Sequence, residues 1–165
     1  MNEQETLTSV AEFAIALAGF SGIVVALGKQ PGRWAPADRY RLLNVLTFAF
    51  SAGFMAYLPM GLAHAGLSGS PLWRASIGFF LCFAVVGSAV MIRRTRSLPN
   101  DVRAVLHPVV RQISYATSAL AILALLLNTL GFGFTPQFSA YFLGLVILLL
   151  NGSIQFTRIL FARPD

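Results

Sequence analysis

The 165 residues carry twelve Lys and Arg against six Asp and Glu, a net charge of +6, and 56% of them are hydrophobic while only 11% are charged. Soluble domains average about a quarter charged residues, so this composition, with a mean hydropathy of +0.72, excludes an ordinary soluble fold and puts the chain in lipid. It also argues against a nucleic-acid partner: the pI of about 10.5 comes from positive charge confined to segments beside apolar runs, where it reads as a topology signal.

An α-helix rises about 1.5 Å per residue and needs roughly 20 apolar residues to cross a hydrocarbon layer of about 30 Å. Five stretches meet or approach that requirement, at 10–28, 42–63, 75–92, 113–130 and 138–156. Residues 1–9 hold Glu3 and Glu5 but no Lys or Arg, the wrong charge for the n-region of a secretory signal, so the first stretch is expected to stay in the mature protein. Its Ala16, Ala18, Gly19, Ser21 and Gly22 make it the least greasy of the five, and a re-entrant or surface helix is the alternative there.

Within this first stretch lies Glu12, the one acidic or basic side chain inside any of the five. At 100° per residue Glu5, Thr8, Glu12, Ala16, Gly19, Ile23, Ala26 and Gln30 fall within about 40° of one line, and Phe13, Leu17, Phe20, Val24 and Leu27 form a separate bulky face. Ala14, Ala18, Gly22 and Ala26 repeat every four residues, a spacing that lets membrane helices approach closely. A carboxylate in hydrocarbon must face the bundle interior, pair, line water, or reach the headgroups. Three readings of Glu12 follow: capping or snorkelling at the outer headgroups, an interior bond to another span, or a ring of carboxylates from several copies of the helix. In the last, Glu12 marks the mouth of an ion pathway, Ala16 and Gly19 leave room, Ile23 forms an apolar constriction, and Lys29 and Arg33 mark the exit.

Lys29, Arg33, Arg39 and Arg41 precede the second stretch. In it Asn44, Thr47 and Ser51 lie at a depth similar to that of Ser114, Thr117 and Ser118 in the fourth, and Pro59 removes a backbone donor and crowds the Met55 carbonyl, so a kink is expected near its far end. A tight turn at 66–71 leads into the third stretch, where Cys82 reads as a small buried hydrophobe. Next come Arg93, Arg94, Arg96, Arg103 and Arg111. Asn100 and Asp101 open a short basic helix to about Leu106, before Pro108, suited to an anionic lipid surface, with Arg93, Arg94, Arg96 and Arg103 on headgroups.

The fourth stretch carries Ser114, Thr117, Ser118 and Asn128, and the Gly- and Pro-rich 131–136 makes a hairpin with the fifth. There Asn151, Gln155 and Arg158 share a face at i, i+4 and i+7, with Asn44 and its neighbours as candidate partners. They read as interhelical hydrogen bonds, or as a pocket for an ion or anionic ligand. Arg158 and Arg163 are the last of the chain's cations.

Eleven of the twelve cations thus lie on one side of the alternation and Arg74 alone on the other. The positive-inside rule makes the eleven cytoplasmic, the N-terminus external and the C-terminus cytoplasmic, in a cell inner (plasma) membrane. Trp34, Tyr40 and Tyr115 then fall at the inner interface and Tyr57, Trp73 and Tyr141 at the outer one. The expected fold is all-α, a single-domain polytopic bundle of five transmembrane helices. His64 and His107 lie on opposite sides, one cysteine is present, and no phosphate-loop or dinucleotide pattern occurs, so no metal, cofactor or enzymatic activity is expected. The functional expectation is a homo-oligomer conducting or transporting ions with its first helix near the axis. The alternative is an accessory or assembly subunit of a larger membrane complex. Anionic inner-leaflet lipids are the other expected partner.

Overall fold

The computed structural model describes residues 2–28, 36–100, 102, 108–132 and 137–161. Among the described residues five long helices make up the fold: α1 (Glu3–Gly28), α2 (Pro36–His64), α3 (Gly69–Arg96), α4 (Pro108–Thr129) and α5 (Gln137–Leu160). All five are long and apolar enough to cross a membrane. Each outruns its apolar stretch, because the polar and charged residues at its ends are adequate helix formers and cost little where water is in reach. α2, for example, is 29 residues and about 44 Å long, so it begins six residues before the apolar run. α1 is one continuous helix of 26 residues, and it is more apolar than α2, α4 and α5 rather than the least greasy of the five, which removes the ground for a re-entrant or surface helix there. Lys29, Arg33, Trp34, Arg103, His107 and Arg163 lie outside the described residues, as does nearly all of the expected short helix at 100–106.

Two helix ends show why the chain turns where it does. After α2, Leu67 N–H donates to Leu62 O at 3.1 Å and Gly66 N–H to Ala63 O at 3.0 Å. After α4, Phe132 N–H donates to Leu127 O at 2.9 Å and Gly131 N–H to Asn128 O at 3.1 Å. Both are Schellman closures, which require a left-handed residue after the last turn, and Gly66 (φ 96°) and Gly131 (φ 80°) supply it without a Cβ clash. These ends lie together, and the starts of α2 and α4 lie with the end of α3 at the arginine-rich end of the bundle.

Helices α2 and α5 form the centre, with α1 against both, and α3 and α4 on the other side. Near the arginine-poor end, all five meet in one cluster: Leu7, Val10 and Ala11 from α1, Met55 and Ala56 from α2, Ile77 and Phe80 from α3, Leu125 from α4, Tyr141 and Leu145 from α5. Aromatic rings tie it off, Trp73 lying 5.3 Å from Phe138 and Phe80 5.3 Å from Tyr141, each edge-on. Near the arginine-rich end the core narrows to Leu17, Ala18, Val45, Ala49 and Ile159, from α1, α2 and α5 alone.

Close approach depends on small side chains. A Cβ on Gly144 would stand 2.7 Å from Phe80 Cε1, and one on Gly152 would stand 3.0 Å from Leu17 Cδ2. Gly53 faces the Ala14 methyl at 3.6 Å. Without a hydrophobic force to bring helices together in lipid, such van der Waals fit is what holds them. The four-residue spacing on α1 is therefore used within the chain, but only in part: Ala14 and Ala18 are buried, while Gly22 and Ala26 are exposed.

The expected outer aromatic belt needs one correction. Tyr141 is fully buried and its hydroxyl donates to Met55 O. That carbonyl is the one Pro59 deprives of its helical donor, and α2 runs unbroken through Pro59 to His64. The tyrosine on α5 supplies the missing bond, so it serves as an interhelical tie rather than a headgroup anchor.

Candidate functional site

The buried face of α1 is Leu7, Val10, Ala11, Ala14, Leu17, Ala18 and Ser21. Ser21 is satisfied within the helix, its Oγ donating to Leu17 O at 2.6 Å. At 100° per residue the line through Glu12 lies about 160° from the middle of that face. Glu12, Ala16, Gly19 and Ile23 are accordingly all exposed, in one row on the outside of the five-helix unit, and nothing lies within 4 Å of a Cβ built on Gly19. An interior Glu12 bonded to another span is thereby overturned. The bulky face splits: Leu17 is buried, while Phe13, Phe20 and Leu27 flank the Glu12 row on the surface.

A second feature lies on the far side of α2 and α5. Between α2, α3, α4 and α5 runs a cavity of about 490 Å³. It exists because two helices have no fully buried residue along half their length. From Leu81 to Arg94 no residue of α3 is buried, and none of α4 is buried from Pro108 to Leu120. At its tip α3 is drawn back, Thr95 Oγ1 lying 2.6 Å from the Tyr40 hydroxyl of α2.

Three of the four polar residues read as a cluster meet here: Asn44, Gln155 and Arg158 line the cavity, with Thr47, Ser51, Ser114 and Ser118. Asn151 does not. The residue is 1% exposed, and its Nδ2 donates across the interface to Thr117 Oγ1 at 3.1 Å and within α5 to Ile147 O at 3.0 Å. Asn151 is thus a packing residue between α4 and α5. Asn44 and Gln155, at 4% and 7% exposure, form no side-chain hydrogen bond among the described residues, and Ser114 Oγ is buried without a partner.

Arg111 was grouped with the loop arginines on sequence. In the structure α4 begins at Pro108, so Arg111 stands one turn inside the helix, on the cavity wall. The signal was available: Arg111, Ser114, Ser118 and Ile122 follow i, i+3, i+7 and i+11 and share a face. Arg41 is buried behind this end, paired with Asp38 at 3.0 Å, its Nε lacking a partner, and near enough to Arg158 for the two cations to repel. Arg93, Arg94 and Arg96 are exposed on the last turn of α3, as a headgroup-contacting role requires.

The fold defines a class, a five-helix protein of the multi-pass membrane type. Comparisons with family models, with curated proteins and with solved structures find no match. The functional reading therefore rests on the chain's own geometry.

Proposed function

We propose that the chain is a small homo-oligomeric membrane protein that conducts or transports ions, with α1 of each copy near the axis. The observation that carries this is the outward row of Glu12, Ala16, Gly19 and Ile23. A carboxylate on a lipid-facing helix surface is expensive, and a second copy covering that surface would replace lipid with a hydrated, shared site. The small residues beneath Glu12 let neighbouring helices stand close, and Ile23 supplies an apolar constriction about three turns from Glu12. Charge placement orients the assembly, with Glu12 at the external mouth, the arginine-rich ends in the cytoplasm, and the inner (plasma) membrane as its location.

Proximity at the axis is tested by disulfide crosslinking. In a Cys82→Ala background, which removes the chain's one exposed thiol, Ile23→Cys is expected to give crosslinked dimers in membranes, whereas Leu123→Cys on the outer surface of α4 is not. Monomeric protein, or Ile23→Cys crosslinked to an unrelated protein, would replace this reading with that of an accessory subunit. Orientation is checked separately: a reporter fused after Asp165 is expected to be active in the cytoplasm and one inserted at Gly69 outside. The reverse pattern overturns the direction assigned to α1.

A further inference from the structure

The cavity is amphipathic along its length. At one end stand the cationic side chains of Arg111 and Arg158, with the amides of Asn44 and Gln155 close along the same walls. At the other end Phe80, Ile122, Ile147 and Leu148 make the wall apolar. No Asp or Glu among the described residues lines it. Asn44 and Gln155 make no side-chain hydrogen bond among the described residues, so their amides are free to bond what enters the cavity, and Ser114 Oγ on the same wall is buried without a partner among those residues, which is costly unless an occupant bonds to it. Its volume falls inside the roughly 300–1,000 Å³ range of small-molecule sites.

The cavity also opens sideways. On α3, Phe83, Gly87 and Ile92 are exposed, on α4 so are Tyr115 and Ala119, and no atom lies within 4 Å of a Cβ on Gly87. A slot open between two membrane-spanning helices admits molecules dissolved in the bilayer. Its cationic end selects among them, because a guanidinium gives planar, charge-assisted bonds to a carboxylate or phosphate.

We infer that this cavity binds a single-chain anionic amphiphile, with its carboxylate or phosphate group at Arg111 and Arg158 and its hydrocarbon chain running toward Phe80. The amides of Asn44 and Gln155 donate to the remaining oxygens of the head. The chain replaces the packing that the inner halves of α3 and α4 lack. This site is independent of α1 and of any ion pathway there.

The test uses the full chain in nanodiscs of zwitterionic lipid and radiolabelled palmitate as probe. Saturable binding of one palmitate per chain is expected, displaced by hexadecyl phosphate but not by acetate or hexadecanol. Arg111→Gln and Arg158→Gln should each weaken it roughly tenfold to a hundredfold, Arg158→Lys much less, and Ser118→Trp, which fills the cavity, should abolish it. The double variant Arg93→Gln, Arg94→Gln should bind as the parent does, since neither residue lines the cavity. Competition by hexadecanol equal to that by palmitate would reduce the site to an apolar groove. Displacement by phosphatidylglycerol alone would make the occupant a two-chain bilayer lipid. Arginine variants that retain the parent's secondary structure and affinity would equally overturn the assignment.

Discussion

Glu12→Gln is expected to lower cation flux through reconstituted protein by about tenfold or more while leaving the oligomer intact. The substitution keeps side-chain volume and hydrogen-bonding capacity and removes only the charge, so packing should be unaffected. At an effective dielectric of about 20, one carboxylate attracts a cation 4 Å away by about 4 kcal/mol, and about 1.4 kcal/mol already corresponds to a factor of ten. A ring of such groups therefore keeps a large effect even when water and salt screen most of it. Glu12→Asp, which retains charge on a shorter arm, should keep most of the flux. Ile23→Ala should raise it by widening the apolar step below the ring. The measurement is ion-driven dye quenching in proteoliposomes, with the oligomer sized in parallel. Equal flux from parent and Glu12→Gln, or no flux from the parent, refutes the pore.

The direction of each α1 residue was legible from 100° periodicity, but which side would be covered by its own chain was not. In lipid an exposed Phe20 and a buried Leu17 are equally at home, so hydrophobicity no longer separates inside from outside. Size does not separate them either: the covered face of α1 holds Ala11, Ala14, Ala18 and Ser21, but Ala16, Gly19, Gly22 and Ala26 are just as small and exposed. The number of helices and their turns were readable because backbone polarity and bilayer thickness leave few options, and Gly66 and Gly131 mark two of the turns. Helix ends were less so, since charged residues extend α2 and α3 well past the greasy runs.

Asn44, Gln155 and Arg158 could be picked out one by one as unusual polar residues. That they surround a space, while Asn151 in the same row is consumed by Thr117, depends on how α3 and α4 pack against α2 and α5. That packing is set by contacts at other positions, Phe80 against Gly144 and Tyr40 against Thr95, and leaves no mark in the local pattern. Tyr141 misled for a related reason. A ring with one polar tip suits a membrane interface and also suits a buried acceptor, and only the partner at Met55 distinguishes them.

That partnership predicts a coupling between two helices. Tyr141→Phe is expected to destabilise the bundle by about 1–2 kcal/mol, because it strands the Met55 carbonyl in a site that neither water nor the α2 backbone can serve. Pro59→Ala supplies the absent amide donor and relieves the ring's crowding of the same carbonyl. In the Pro59→Ala background the Tyr141→Phe cost should therefore fall to a few tenths of a kcal/mol, since the acceptor regains a partner within its own helix. The four variants can be compared by titrating a denaturing detergent into mild micelles and following helix content. An equal cost of Tyr141→Phe in both backgrounds would mean that the tyrosine acts by packing against Trp73 and Phe80 alone. A reduced cost identifies α5 as the element that lets α2 carry a proline inside its apolar stretch, because the freed carbonyl then has its donor from across the interface.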